Sequence, residues 1–145
     1  MADPVFVDAN VPMYAVGAAH PLKQPCVDFL EAVARGEIVA LTDAEVLQEI
    51  LHRYSALSQR ERAIEVVRLF VKVVPTVLPI MLADVEGALD VHRRYAGLQA
   101  RDSLHVAVMA NNGVRRILSA DQHFDVVGEV QRFDPALWGR LKAAP

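Results

Sequence analysis

Three aspartates occupy positions from which their side chains could act together. Asp8 follows the apolar run Val5–Val7, and Asp121 follows the apolar run 116–120. Asp102 lies near the start of a long apolar stretch. Carboxylates that lie close together repel, so each resists ionisation unless a cation compensates the charge. Oxygen ligands without a cysteine or histidine pair favour Mg²⁺ or Mn²⁺ over Zn²⁺.

Each aspartate also has an interpretation that involves no chemistry. Asp8 and Asp121 could be the polar ends of strands, and the macrodipole of a helix favours a carboxylate such as Asp102 in its first turn. The chemical interpretation therefore depends on whether the secondary structure brings the three to one place.

Two glutamates compete for a fourth acidic position. Thr42 and Glu45 match the S/T-x-x-E capping box, in which each side chain satisfies a backbone donor at a helix start. At about 100° per residue, Glu45 falls nearly opposite the apolar face of that helix, and Glu49 falls on its flank. Periodicity alone does not select Glu49. If Glu45 caps the helix, however, Glu49 is the glutamate of this helix that remains available for a site.

The apolar residues alternate between the patterns of strands and of helices. The sequence predicts strands at 5–7, 37–41, 116–120 and 130–133, and a short, proline-broken edge strand within 73–80. Helical spacing predicts helices over 25–35, 44–57, 60–71, 82–95 and 101–112, with a loop at 8–12 and a second capping signature at 58–61.

This alternation is typical of an α/β fold with a mostly parallel sheet covered by helices on both faces. Ligands of such sheets bind beyond the carboxyl ends of the strands. Asp8 and Asp121 then belong to the same edge of the sheet. Together with Asp102, three carboxylates are then aimed at one edge, which favours the chemical interpretation.

Length and composition indicate one globular domain, which we predict to span residues 1–145. The chain is 53% hydrophobic and 23% charged, as folded domains of this size are. The longest uncharged apolar stretch, 73–83, is shorter than the roughly 20 residues of a membrane span, and the N-terminus lacks the basic region of a secretory signal. We therefore predict a cytoplasmic protein without a membrane segment. Cys26 is the only cysteine, which excludes an intrachain disulfide.

The charge is distributed unevenly. The formal net charge of −3 argues against indiscriminate binding of nucleic acid by the whole surface. Residues 1–50 hold eight acidic and two basic side chains, whereas residues 51–116 hold ten basic and six acidic ones. Ordinary solvated helix faces would explain this, but carboxylates beside a cationic rim also suit a site for a polyanion. The arginines available for such a rim are Arg53, Arg60, Arg62, Arg68, Arg93, Arg94, Arg101, Arg115 and Arg116.

The order of the motifs resembles that of the PIN-domain ribonucleases, and specifically of the VapC-type toxins of bacterial toxin–antitoxin pairs. The motifs are Val-Asp-Ala-Asn at 7–10, Thr-x-x-x-Val-x-x-Glu at 42–49, Arg-Asp-Ser-Leu-His-Val-Ala at 101–107 and Ser-x-Asp-x-x-Phe-Asp at 119–125. Each motif alone is weak, whereas four in order over nearly the whole chain are fairly specific.

The resemblance implies a three-layer α/β/α PIN-like domain that hydrolyses RNA through a metal-activated water. Its acidic quartet, which would hold Mg²⁺ or Mn²⁺, corresponds to Asp8, Glu49, Asp102 and Asp121. Asn10 and Ser119 correspond to neighbouring polar positions, and Asp125 to an additional acidic position that varies in the family. The resemblance also implies a homodimer and a cognate antitoxin whose C-terminal segment covers the site.

Other functions are less consistent with the sequence. A phosphatase of the Asp-x-Asp type needs an acid where this chain has Asn10. A phospho-accepting receiver domain needs paired acids after the first strand and a lysine on a late strand, and Lys23, Lys72 and Lys142 lie elsewhere. The sequence leaves open an acidic-pocket binding module, catalytically silent or phospho-accepting, on an α/β fold.

Four further side chains are of types that could take part in a site, and three of them have a structural interpretation. We predict that His105, on a buried helix, is packed or hydrogen-bonded and that Cys26 lies in the core. Trp138 is expected to pack the C-terminal tail onto the domain. His123 lies in a loop, where substrate contact is conceivable but no pattern supports it.

Overall fold

Five short strands form one parallel sheet in the computed structural model, which describes residues 3–143. The strands are β1 (Val5–Val7), β2 (Ala40–Asp43), β3 (Val77–Leu78), β4 (Arg116–Leu118) and β5 (Gln131–Phe133). Their spatial order is β3-β2-β1-β4-β5, and every pair is parallel. The predicted parallel sheet, with its short edge strand β3, is thereby confirmed.

Helices cover both faces of this sheet. The α-helices of residues 3–143 are α1 (Asn10–Val16), α2 (Lys23–Ala34), α3 (Ala44–Ala56), α4 (Arg60–Val73), α5 (Leu82–Arg94), α6 (Ala100–Asn111) and α7 (Arg140–Ala143). Val5, Phe6 and Val7 of the central strand are fully buried. Because successive strand residues point to opposite faces, this burial means that both faces are covered. The α/β/α prediction is therefore confirmed.

The segment after β1 is a helix, so the predicted loop at 8–12 is wrong. Helix α1 begins at Asn10 and runs through Pro12 to Val16. The first N–H groups of a helix have no intrahelical partner, so a proline in the first turn removes no hydrogen bond there. Val11 and Pro12 are buried, and α1 thus packs on the core directly beside Asp8.

Both predicted capping boxes are also wrong. Thr42 belongs to β2, where its hydroxyl donates to the Val7 carbonyl at 2.9 Å. The N-cap of α3 is the next residue, Asp43, whose Oδ1 accepts from the Val46 N–H at 2.9 Å. Pairing of Thr42 and Asp43 with β3 extends the strand past its predicted end, so the helix begins later.

The second capping signature fails for a different reason. Ser58 has a φ of 60° and lies in the turn between α3 and α4. Helix α4 then begins after Gln59, and no side chain caps it. A serine with left-handed backbone before the cap position cannot serve as the capping residue, which needs a β-region φ.

Three predicted core positions agree with the structure. Cys26 is fully buried, and burial raises the pKa of its thiol to about 12. The Trp138 ring lies 6.2 Å from that of Phe29, edge on, so the C-terminal segment packs on α2. His105 is fully buried and hydrogen-bonded.

Arg116 is not part of a cationic rim, contrary to the prediction. Its side chain is buried at the start of β4, and its guanidinium donates to the carbonyl of Leu141 at 3.0 Å and to that of Asp3. This arginine therefore ties the segment before β1 to the last helix instead of facing a ligand.

We predict that Asp43, and not Glu45, stabilises the start of α3. Asp43→Ala removes the cap and the acceptor of the buried His105 side chain, so it should lower the free energy of unfolding by about 3–5 kcal/mol. Glu45→Ala removes a partly exposed ion pair with Arg101 and should cost about 0–1 kcal/mol. Urea denaturation of both variants measures the difference. Equal losses would restore the capping box of Thr42 and Glu45.

Candidate metal centre

A cavity of about 320 Å³ lies beyond the carboxyl ends of β1 and β4. All four acidic residues singled out in the sequence line it: Asp8, Glu49, Asp102 and Asp121. The other lining residues are Asn10, Tyr14, Arg53, Gln99, Arg101, Ala120 and His123. Side chains that are distant in the sequence thus meet at the edge of the sheet where ligands of α/β folds bind.

Asp8 is held by neighbours that use most of its acceptor capacity. Its Oδ1 accepts from the Ala9 N–H at 2.8 Å. Its Oδ2 accepts from the Ser119 hydroxyl at 2.6 Å and from the Asn10 amide at 3.2 Å. Burial raises the pKa of Asp8 above its ordinary value, so these bonds orient the carboxylate without fully compensating its charge.

Asn10 and Ser119 join the ends of the two central strands. The Asn10 amide also donates to the Ser119 hydroxyl oxygen at 3.1 Å, and its Oδ1 accepts from the Ala120 N–H at 3.1 Å. The Asp121 N–H in turn donates to the Ser119 hydroxyl oxygen at 3.0 Å. This network fixes the position of the residues after β4 relative to Asp8.

Asp102 is buried without a hydrogen-bond donor for its carboxylate. It lies in the first turn of α6 and is 8% exposed. No described residue donates a hydrogen bond to its side chain. Burial, followed by the charges of Asp8 and Asp121, raises the pKa of Asp102 to about 6. The charge of His105 acts to lower this pKa, but it does not fully compensate the Asp102 carboxylate.

Asp121 lies at the more open side of the cavity. Its side chain accepts from the His123 N–H at 2.9 Å and lies 2.7 Å from the His123 ring Nδ1. The side chain is 29% exposed, so it is accessible to a ligand that enters the cavity. His123 therefore contacts the acidic group, as a loop residue beside the site.

Glu49 differs from the aspartates because cations surround it. Its Oε2 lies 3.2 Å from Arg53, and its Oε1 lies 3.8 Å from Arg101. Burial acts to raise its pKa, but His105 and these arginines outweigh burial, and the pKa of Glu49 lies below its ordinary value. Glu49 is 6% exposed, so the flank position on α3 proves to be buried.

Sequence reasoning missed the pair beneath the cluster. The Nδ1 of His105 donates to Oδ2 of Asp43 at 2.7 Å, and its Nε2 lies 3.9 Å from Oε1 of Glu49 without a hydrogen-bond partner among residues 3–143. Burial acts to lower the pKa of His105, but the bond to Asp43 and the nearby carboxylates raise it to about 10. Asp43 and His105 are 62 positions apart, so no local pattern in the sequence could have found this pair.

The donor set suits a hard divalent cation. Asp8, Glu49 and His105 each place one ligand atom within 4.8 Å of the others. The orphaned Nε2 of His105 could face a cation only in the neutral ring, and the raised pKa of His105 argues against that state. The pKa values of Asp102 and Asp8 are raised, and carboxylate oxygens are the ligands that Mg²⁺ and Mn²⁺ prefer.

The predicted arginine rim and Asp125 lie in different places relative to the acidic cavity. Of the nine arginines considered for a rim, Arg53 and Arg101 line the acidic cavity. Asp125 lies outside its lining, where its two oxygens accept from Arg132 at 2.7 and 3.1 Å. The Nη1 of Arg132 donates to the Ser119 carbonyl at 2.9 Å, so Asp125 supports the end of β4 from the outside.

Known proteins are similar to this chain in sequence. The PIN domain model matches residues 5–130. Ribonuclease VapC13 of Mycobacterium tuberculosis is 46% identical over 128 residues, which cover 88% of this chain and 98% of that relative. The chain belongs to the PIN-domain family and, within it, to the VapC ribonucleases. The family resemblance deduced from the four motifs is therefore confirmed.

Solved structures agree with this VapC assignment at the level of fold. VapBC2 from Rickettsia felis, bound to a DNA fragment from its promoter, has a TM-score of 0.72 at 12% identity and covers 90% of this chain and 98% of that one. Mycobacterium tuberculosis VapC20, a toxin that cleaves the sarcin-ricin loop, has a TM-score of 0.70 at 19% identity, with coverages of 86% and 95%. Within residues 3–143, no helix of this VapC-family chain has the length and apolarity that crossing a membrane requires.

We predict that neutralising Asp102 stabilises the metal-free protein. Because its pKa is raised from 3.8 to about 6, its ionisation opposes folding above pH 6, and this penalty disappears as the pH falls below 4. Asp102→Asn should therefore raise the free energy of unfolding at pH 8 by roughly 1–3 kcal/mol, and by little at pH 4. Denaturation in EDTA at both pH values measures the change.

The exposed Asp90 on α5 provides a control. Asp90→Asn should leave stability unchanged at both pH values. Addition of Mg²⁺ should reduce the advantage of Asp102→Asn, because a cation that binds only the folded wild type stabilises it. A gain that is equal at pH 4 and pH 8 would contradict the crowding of carboxylates described above.

Proposed function

We propose that this chain is a toxin endoribonuclease that hydrolyses RNA phosphodiesters with a divalent cation, Mg²⁺ or Mn²⁺. The observation that carries the proposal is the buried, unsupported carboxylate of Asp102, placed beside Asp8 and Asp121 in an open cavity. Such a group needs positive charge, and a bound cation would supply it. Membership of the VapC ribonucleases supports the substrate class.

Asp8, Asp102, Asp121 and Glu49 are proposed to hold the cation. When bound, a divalent cation lowers the pKa of water and offsets the charge that develops on a phosphodiester during hydrolysis. Ser119 and Asn10 keep Asp8 in place, because both donate hydrogen bonds to its Oδ2.

Glu49 and two arginines would also act on the reacting groups. Glu49 stays ionised because cations surround it, so it can accept a hydrogen bond from water and orient it. Arg53 and Arg101 lie at the rim of the cavity and can donate to phosphate oxygens. Their positions explain how a chain with a net charge of −3 could hold a polyanion beside four carboxylates.

An antitoxin is the proposed protein partner. The Rickettsia felis neighbour is a VapBC complex, and an acidic cavity suits a cationic segment. An arginine of the antitoxin could pair with the carboxylates in a bidentate fork. Binding of the antitoxin and binding of the cation would then exclude one another.

An exposed apolar surface on α5 bears on assembly. Leu82, Val85 and Leu89 form an apolar stripe on the outer face of α5 and are 74%, 44% and 64% exposed. A stripe of this kind suits contact with a second copy of the chain, so we propose a homodimer. We further propose a cytoplasmic location and a single domain over residues 1–145.

The proposed function predicts which carboxylates are essential. Asp8→Asn, Asp102→Asn and Asp121→Asn should each lower RNA cleavage by about 100-fold or more, because each removes a proposed ligand. A fluorophore–quencher RNA in Mg²⁺ measures the rate. Asp125→Asn, which changes a carboxylate outside the cavity, should cleave at close to the wild-type rate.

The two glutamates of α3 form a second matched pair. Glu49→Gln should lose activity, whereas Glu45→Gln, which changes a residue outside the acidic cavity, should keep it. Thermal melts of each variant exclude unfolding as the cause. Wild-type protein that binds RNA and Mg²⁺ but never cleaves would instead favour a silent acidic-pocket binding module.

The proposed partner makes a separate prediction. An equimolar amount of the antitoxin encoded beside this chain should suppress cleavage. Replacing the arginines of its C-terminal segment by alanine should relieve the suppression and slow the loss of bound Mn²⁺, followed by electron paramagnetic resonance. Full suppression and unchanged Mn²⁺ release by the alanine variant would show that the antitoxin acts away from the acidic cavity.

A further inference from the structure

A second cavity, of about 360 Å³, adjoins the acidic one. The two cavities share Asn10, Tyr14 and Arg53. The rest of the second cavity is lined by Met13 and by the segment 17–20, which follows α1. Its volume lies in the range of about 300–1,000 Å³ that small-molecule sites occupy. Nothing described so far gives it a role.

We propose that this second cavity binds a nucleobase of the RNA, from one of the two nucleotides that flank the scissile phosphodiester. The inference rests on the proposed function, because the acidic cavity must hold the phosphate. A phosphodiester placed there has a nucleoside attached on each side. The shared residues Asn10, Tyr14 and Arg53 lead from the acidic cavity directly into the second one.

The lining of the second cavity has the chemistry that a flat aromatic base requires. The rings of Tyr14 and His20 lie 4.5 Å apart and are tilted by 30°. Aromatic side chains of this kind stack on bases of RNA. Met13 adds a polarizable side chain, and Gly17, Ala18 and Ala19 add no bulk that would fill the space.

The start of the segment 17–20 is held in place before any ligand binds. Lys23 donates to the Gly17 carbonyl, and Arg62 donates to the Val16 carbonyl at 2.7 Å. A Cβ at Gly17 would lie 2.8 Å from the Met13 carbonyl oxygen, so the close turn requires glycine. A preformed site of this kind loses less conformational entropy on binding.

The hydrogen bond of His20 leaves one ring nitrogen for the base. Its Nδ1 accepts from the Leu22 N–H at 3.0 Å, so the proton of the neutral ring is on Nε2. This N–H can donate to an acceptor on the edge of a base. The contact also fixes the ring orientation that places it against Tyr14.

Arg53 lies where the two cavities meet. Its side chain is 52% exposed and pairs with Glu49 at 3.2 Å. A guanidinium in this position can donate to the phosphate that links a base in the second cavity to the acidic cavity. A flat aromatic ring on one side and a phosphate site on the other fit a nucleotide better than they fit an apolar peptide.

The test combines changes in the protein with changes in the RNA. An RNA that wild type cleaves is prepared intact, and with an abasic site at each flanking nucleotide in turn. His20→Ala should lower kcat/KM on intact RNA by about 5- to 150-fold, the usual effect of a lost base stack. On the RNA whose abasic site removes the bound base, the same variant should cause little further loss.

Two variants separate stacking from damage to the fold. His20→Phe keeps an aromatic ring and should recover most of the loss. His52 is an exposed histidine of α3 that lines neither cavity, and His52→Ala should leave kcat/KM unchanged on every RNA.

A binding measurement keeps the inference separate from the proposed function. Stacking should quench 2-aminopurine placed at the flanking nucleotide when wild type binds the RNA in Ca²⁺, and His20→Ala should abolish the quenching. If no RNA is cleaved but this quenching occurs, the proposed function fails and the base site stands.

Other outcomes would overturn the base site while leaving the nuclease intact. These are equal losses for His20→Ala on intact and abasic RNA, no loss at all, or no quenching by wild type. A His20→Ala variant that cleaves and binds RNA normally, but binds an arginine-containing antitoxin peptide more weakly, would assign the cavity to the protein partner instead.

Discussion

One buried charge pair connects the fold to the site. His105 on α6 donates to Asp43, which is also the N-cap of α3. These two helices carry Asp102 and Glu49, so a single interaction fixes the relative position of two of the four carboxylates. The raised pKa of His105 favours its protonated form at neutral pH, which places a positive charge beside Asp43. Because truncating one partner would leave a buried charge uncompensated, the site and the position of α3 relative to α6 depend on each other.

The carboxylates of the acidic cavity have two different electrostatic surroundings. Around Glu49, the cations His105, Arg53 and Arg101 supply positive charge. At Asp102, burial and the charges of Asp8 and Asp121 outweigh the charge of His105, and the pKa rises. A cation from solution is therefore needed on one side only. This asymmetry gives different tasks to residues that the sequence presents as one acidic quartet.

The sequence allowed much of the framework to be predicted, for identifiable reasons. Short runs typical of strands marked β1 and β4, and the acidic residues just past their ends identified Asp8 and Asp121. Periodicity could not select Glu49, whose flank position becomes buried only when Arg101 and α6 pack beside it. That assignment came from the family resemblance.

The errors arose where distant contacts decide between local alternatives. Thr42 and Asp43 are adjacent and both can cap a helix, and only pairing with β3 makes the second one the cap. Asp43 and His105 are 62 positions apart, so no local pattern could join them. Pro12 reads locally as a helix breaker, yet it lies in the first turn of α1. Arg116 is charged like its neighbour Arg115, but the contacts that bury it come from the two ends of the described chain.

The burial of Cys26 has a practical consequence for the chemistry of the protein surface. A thiolate is the species that reacts with maleimides and oxidants, and a fully buried thiol with a pKa of about 12 scarcely forms one at neutral pH. Since this is the only cysteine of the chain, a cysteine introduced at an exposed position would be the one that reacts. A dye or spin label could thus be attached at a chosen point of the native background without first removing a natural thiol.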